Sequence, residues 1–261
     1  LAQRKGPIAT LIAETGGQNA MIVDSSALPE QIVRDVVDSS FNSAGQRCSA
    51  LRVLFLQEDI APRVLEVLKG YMDELQIDDP GLLSTDVGPV IDAEAKAGLD
   101  QHILTMQKNG RLIHKIELPT HCSNGTYVSP AAFEIESLAE LDKEHFGPLL
   151  HIIRYRAKDI DKVIDAINNT GYGLTLGIHS RIESFANYVT QRIRAGNAYV
   201  NRNMIGAVVG VQPFGGMGLS GTGPKAGGPH YLHRFATEKT LTVNTAAVGG
   251  NTSLLSLEQS T

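Results

Sequence analysis

The sequence predicts an α/β domain of three layers: an open, mostly parallel twisted sheet with helices on both faces. Apolar runs suited to strands covered on both sides alternate with amphipathic helical patterns. Punctuation falls where such an alternation needs it, with Pro29 opening a helix and Asn109-Gly110 closing one. A hydrophobic fraction of 42% over 261 residues is enough for a sizeable core.

The elements follow in order. Pro29 starts a helix that runs to Phe41 and turns Ile32, Val33, Val36 and Val37 inward. The Gly45-Gln46-Arg47-Cys48 turn leads to a strand at 51–56, apolar nearly throughout. A helix at 60–75 carries Val64, Leu65, Leu68 and Met72 at helical spacing. Another follows Asp92 through Ala95, Leu99, Ile103 and Met106. Residues 111–118 read as a strand, and 126–133 as an extended piece broken by Pro130. Strands at 149–155, 174–179 and 197–201 alternate with helices at 159–168 and 182–193. A Gly-rich stretch, 206–228, contains enough apolar residues to be a structured loop, and loops of that length are usually functional. Residues 1–236 form the main domain in this reading. Residues 237–245 are a strand making a sheet or oligomer contact, and 246–261 are a polar tail.

A net charge of −5 argues against a nucleic-acid surface, and no apolar run reaches bilayer length. Only Cys48 and Cys122 occur, which favours a reducing, cytoplasmic compartment. The chain starts Leu1-Ala2-Gln3-Arg4 and reads as a piece of a longer protein.

The chemistry rests on Cys48 and Glu14. A thiol can attack a carbonyl and hold the product as a thioester, and a nearby carboxylate can deprotonate the water that releases it. Alone, each is ordinary: most such cysteines are buried packing, and a Glu beside Gly16-Gly17 is usually a turn. The reading requires the two to converge across one crevice. Gly216-Met217-Gly218-Leu219-Ser220-Gly221 spells a dinucleotide fingerprint, but the prolines and glycines around it leave no helix for a phosphate to cap. No histidine sits in a hydrolase motif. His230 and His233 alone show ligand-like spacing, so no metal site is expected.

Several motifs carry a resemblance. Glu14-Thr15-Gly16-Gly17, followed by a helix and then Phe41-Asn42-Ser43-Ala44-Gly45-Gln46-Arg47-Cys48-Ser49-Ala50, resembles the aldehyde dehydrogenase superfamily. So do Glu144-His145-Phe146-Gly147-Pro148, the turn at 168–174, the strand ending in Asn201, and Pro213-Phe214-Gly215-Gly216 through Ser220-Gly221. Gln18-Asn19-Ala20, Cys48-Ser49 and the Lys225-to-Tyr231 loop look most like L-glutamate-γ-semialdehyde (1-pyrroline-5-carboxylate) dehydrogenase. The bacterial bifunctional form, fused behind a flavin-dependent proline dehydrogenase, fits best.

The resemblance implies roles. Cys48 is the nucleophile and Glu14 the base. Glu144, Phe146, Thr15 and Gly16 contact NAD. Ser49, Gly227 and Gly228 hold the substrate α-carboxylate, and Phe235 lies beside its aliphatic chain. Asn201 supports the site, though it reads equally as a strand-end cap, and Phe235 reads equally as core. The implied reaction is oxidation of the semialdehyde to glutamate through a Cys48 thioester, the second step of proline catabolism. The alkoxide is stabilised by the Cys48 N–H and an Asn side chain. The resemblance also places the Rossmann domain, that Asn, an adenosine-contacting Lys, part of an oligomerisation flap and the FAD-binding proline dehydrogenase upstream of Leu1. The segment is therefore expected to join a homo-oligomer and to be inactive alone. Three alternatives stay open: another aldehyde specificity, a folding and oligomerisation module with inert Cys48, and a cysteine hydrolase.

Overall fold

The computed structural model describes residues 3–109 and 111–244. Its strands are β1 (Ala20–Val23), β2 (Val53–Gln57), β3 (Arg111–Lys115), β4 (Ala131–Glu134), β5 (Leu149–Tyr155), β6 (Tyr172–Gly173), β7 (Thr175–His179), β8 (Asn197–Val200) and β9 (Met217–Gly218). The helices are α1 (Pro29–Phe41), α2 (Ala61–Asp73), α3 (Ala93–Asn109), α4 (Ile160–Asn169) and α5 (Glu183–Arg192). Seven strands form one sheet in the order β3-β4-β5-β2-β1-β7-β8. All neighbours are parallel except the β3–β4 edge pair.

The core follows from that arrangement. Every residue of β1, β2 and β7 is buried, as a strand covered on both faces must be. From β1 the chain crosses one way, through α1 to β2. From β5 and from β7 it crosses the other way, through α4 and α5. Right-handed crossovers put these two sets of helices on opposite faces. α1 packs beside α2 and turns Ile32, Val33 and Val36 into the core.

Three expectations need correction. The central strand β1 has no place in the element list read from sequence; four apolar residues are too short a run to signal by periodicity. The extended piece at 126–133 shrinks to β4, because Pro130 has no N–H to donate to the sheet. No strand forms over 237–244, where Leu241 and Val243 lie exposed with no neighbouring strand among the described residues. Thr245, the tail at 246–261 and Gly110 fall outside the described residues. The Gly216–Gly221 fingerprint contributes β9, paired antiparallel with β6, and no helix follows it.

Candidate active site

Ligands of open α/β sheets usually bind beyond the carboxyl ends of the strands. Here the predicted nucleophile, base and cofactor-side residues gather at the amino ends. Residues 14–19 lead into β1, residues 45–52 into β2, and residues 144–148 into β5.

Cys48 is reached through an unusual turn. Ser43, Ala44 and Gly45 have φ of 55°, 53° and 64°, three left-handed residues in a row. Two of them carry side chains, at a cost of roughly 1–2 kcal/mol each. A Cβ on Gly45 would lie 2.1 Å from the Gly147 carbonyl oxygen, so only glycine lets the two segments approach. Gln46 fixes the turn from outside. Its amide donates to the carbonyls of Ser43 and Pro89 (both 3.3 Å) and accepts from the N–H of Ile91 (2.8 Å). Asn19 fixes it from the sheet side. Its Nδ2 donates to the carbonyls of Cys48 (2.6 Å) and Ala50 (2.8 Å), and its Oδ1 accepts from the N–H of Thr175 (3.2 Å).

The turn opens onto a cleft of about 550 Å³, lined by Gln46, Arg47, Cys48, Ser49, Phe214 and Gly227 among others. Cys48 is half-buried, and burial pushes its thiol up. Hydrogen bonds from the N–H groups of Ser49 and Cys48 oppose that shift, and the carboxylates of Glu144 and Glu14 add to it. Cys122 is buried and does not line the cleft; its thiol lies 3.6 Å from the Ile77 carbonyl.

Glu14 lies beside this site without lining the cleft. It forms an isolated antiparallel bridge with Gly221, is exposed, and acts on the Cys48 thiol through its charge. Thr15 is held to the same loop, its N–H donating to the Ser220 carbonyl (3.1 Å) and its hydroxyl to that of Leu219. Gly16 has no room for a side chain, since a Cβ would sit 1.6 Å from Oε2 of Glu144. Glu144 accepts from the Gly17 N–H (3.1 Å) and pairs with Arg52 (3.2 Å). Burial raises its carboxyl above the usual range, and Arg52 and the Gly17 N–H offset part of that. The Phe146 ring is 42% exposed, with the Arg52 guanidinium 5.0 Å from its centroid.

The substrate-side residues divide. Ser49 and Gly227 line the cleft. Gly228 is not among the lining residues, and its N–H donates to the Lys225 carbonyl (3.1 Å). Phe235 lies in a short 3-10 turn, Leu232–Phe235, 66% exposed and edge-on to Tyr231. Asn201 acts as the strand-end cap: its side chain accepts from the N–H of Ser180 (3.0 Å) and donates to the Ser180 carbonyl (2.9 Å).

Two features escaped the sequence reading. Arg52 is the one charged residue in the apolar run 51–56, which was the available signal. Behind Glu144 and Phe146 lies a buried histidine cluster. His102 stacks on His145 with centroids 3.4 Å apart, and its Nε2 is 2.9 Å from Nε2 of His151. Burial lowers all three, His102 to about 4 and His151 to about 3. Nothing in the spacing of these residues brings them together. Among the described residues no group of three or more His, Cys, Asp or Glu is arranged to hold a metal ion. The rings of His230 and His233 lie tilted with centroids 6.1 Å apart.

The fold and site together define a class: an open-sheet α/β domain with a cysteine displayed in a cleft at the amino ends of its strands. The chain belongs to the aldehyde dehydrogenase family, whose sequence profile matches residues 1–241. It is 56% identical over 234 residues to the bifunctional protein PutA of Klebsiella aerogenes, covering 88% of this chain and 18% of that one. Against a 1-pyrroline-5-carboxylate dehydrogenase of Geobacillus the figures are 37% over 233 residues, 88% of this chain and 44% of the relative. A crystal structure of a proline utilization A mutant from Bradyrhizobium japonicum superposes with a TM-score of 0.89 at 59% identity, covering 95% of this chain and 25% of that one. A 1-pyrroline-5-carboxylate dehydrogenase from Thermus with bound NAD gives 0.79 at 34%, covering 86% and 43%. The chain thus spans about a fifth of the PutA relatives and under half of the monofunctional ones.

Proposed function

We propose that this chain supplies the nucleophile, base and substrate anchor of an NAD-dependent L-glutamate-γ-semialdehyde dehydrogenase. The observation that carries the reading is the convergence of Cys48, Ser49 and Gly227 on one cleft, with Glu14 and Glu144 close enough to act on the thiol. Similarity to PutA and to 1-pyrroline-5-carboxylate dehydrogenases selects the semialdehyde over other aldehydes.

Cys48 attacks the aldehyde carbon, and its own N–H stabilises the alkoxide; one preorganised donor of this kind contributes roughly 3–4 kcal/mol. Ser49 and the backbone at Gly227 take the α-carboxylate, with the less available Gly228 N–H as a further donor. Glu14, exposed to water, serves as base in hydrolysing the thioester, worth roughly 10²–10⁴-fold.

The residues on the cofactor side fit a nicotinamide nucleotide. Glu144 offers a fixed carboxylate for ribose hydroxyls, Phe146 offers an exposed ring face, and Gly16 clears the approach. Thr15 has both donors engaged and serves as a wall. A bound nicotinamide would supply the hydride acceptor. FAD would belong to a proline dehydrogenase domain that this segment does not contain. A cytoplasmic setting is supported by the unpaired thiols of Cys48 and Cys122, and no helix among the described residues is long and apolar enough to cross a membrane. A homo-oligomer joined to a nicotinamide-binding domain completes the proposal.

The test is NADH production by the gene product carrying residues 1–261, offered glutamate semialdehyde or propanal. Strong preference for the former is expected, with no NADH from the 261-residue chain alone. Equal rates would remove the carboxylate anchor from the proposal, and turnover surviving Cys48→Ser would remove the whole of it.

A further inference from the structure

Arg52 is 1% exposed, the largest fully buried side chain among the described residues. Its guanidinium bridges two segments directly and a third through Glu144. Nη1 donates to the carbonyls of Gly45 (2.7 Å) and Gly147 (3.3 Å); Nη2 donates to the Arg47 carbonyl (3.2 Å) and to Oε1 of Glu144 (3.2 Å). Glu144 in turn holds the Gly17 N–H, three residues after Glu14. One cation thus joins the turn before the nucleophile, the segment of the cofactor-side carboxylate and the segment of the base.

We propose that Arg52 is a positioning residue, whose buried guanidinium locks the Cys48 turn and the Glu144 carboxylate into one unit and thereby sets the reactivity of the thiol.

Three observations support this beyond an ordinary core ion pair. The left-handed run Ser43-Ala44-Gly45 persists only if its surroundings over-determine it, and two of the carbonyls Arg52 binds, Gly45 and Arg47, lie at the end of that run and just before Cys48. A planar fork can serve such diverging acceptors at once, whereas an ammonium is a point charge. Finally, Glu144 is one of two carboxylates whose charge disfavours the Cys48 thiolate, and Arg52 is the cation paired with it. The charged and titratable groups around the pair are Glu14 and Cys48 on the cleft side and His145 and His151 on the core side. Both rings are held neutral by burial.

The inference rests on Cys48 being the nucleophile, and the test separates the two claims. In the full chain, alkylation of Cys48 and Cys122 by iodoacetamide is followed by mass spectrometry from pH 6 to 10. Arg52→Met leaves Glu144 unneutralised and frees the turn, so the Cys48 midpoint rises by about one unit, about tenfold slower reaction at a fixed pH below it. Glu144→Gln removes the opposing carboxylate, and the midpoint falls. Movement in opposite directions from two halves of one ion pair is a result that general loosening cannot produce. Cys122 reports the fold. Should Arg52→Met expose it, Arg52→Lys carries the test, with a smaller rise because charge survives and the fork does not. Unmoved midpoints, or shifts of the same sign in the Arg52 and Glu144 variants, overturn the inference. A wild-type Cys48 that reacts no faster than Cys122 would overturn the nucleophile reading instead.

Discussion

At the carboxyl ends of β1, β7 and β8 the polar groups close on one another. Asp24 accepts from the N–H (2.7 Å) and hydroxyl (2.5 Å) of Ser26 and from the Ser180 hydroxyl, while Asn201 ties both main-chain groups of Ser180. At the amino ends Asn19, Gln46 and Arg52 also saturate backbone carbonyls, yet the Cys48 thiol is left facing a cleft, with the exposed carboxylate of Glu14 close enough to act on it. One end is a closed knot that fastens strands. The other is a scaffold in which fastened backbone presents unfastened chemistry. Buried hydrogen bonding by itself therefore does not mark a functional end; what marks it is the reactive group the network holds without consuming.

Four perturbations would break or sharpen that contrast. The largest belongs to the cleft. Cys48→Ser should lower dehydrogenase turnover of the gene product by about 10³-fold or more with its melting temperature unmoved. Next is Asn19→Ala, which strands the carbonyls of Cys48 and Ala50 and the N–H of Thr175; urea unfolding should show a loss of about 3 kcal/mol. The Cys48 alkylation rate should change with it. Asp24→Ala, at the far end, should cost about 2 kcal/mol by the same measurement while leaving Cys48 alkylation within twofold of wild type. An equal effect of both substitutions on the thiol would dissolve the distinction between the two ends.

The smallest effect comes from pH. A histidine whose folded pKa is depressed stabilises fully above its unfolded value and loses that contribution as pH falls towards the folded value. For His102 the window runs from about 6.5 down to about 4. Urea midpoints should therefore drop between pH 7 and 5, and His102→Gln should remove about 1 kcal/mol of that drop.

Much of the fold was legible because long elements advertise their period. Helix α1 and strand β5 fall at the bounds read from sequence, and α2, α4, α5, β7 and β8 within two residues of theirs. Short elements do not, and β1, central to the sheet, is four residues long. The candidate site was legible where motifs are contiguous, as around Cys48 and Glu144. It was not legible where function depends on which carbonyls a side chain reaches. Arg52, Asn19 and the three histidines act through backbone atoms or rings distant in sequence, and no local pattern encodes such partners. The exposure of Phe235 is likewise a tertiary fact, whereas the Gly228 N–H is spent locally, on the Lys225 carbonyl three residues earlier.

The pair His102 and His151 has a consequence in proton order. The Arg52 carbonyl can only accept, and it already takes the His151 main-chain N–H (2.9 Å); the His151 Nδ1 that lies 3.2 Å away must therefore carry hydrogen. A neutral ring hydrogenated there is bare at Nε2, so the hydrogen in the 2.9 Å contact comes from His102, whose Nδ1 is left as the open basic site. Within the pair, an acid equivalent settles on that nitrogen before it reaches the inner ring. The tautomers of both imidazoles are dictated by a peptide oxygen at the threshold of β2.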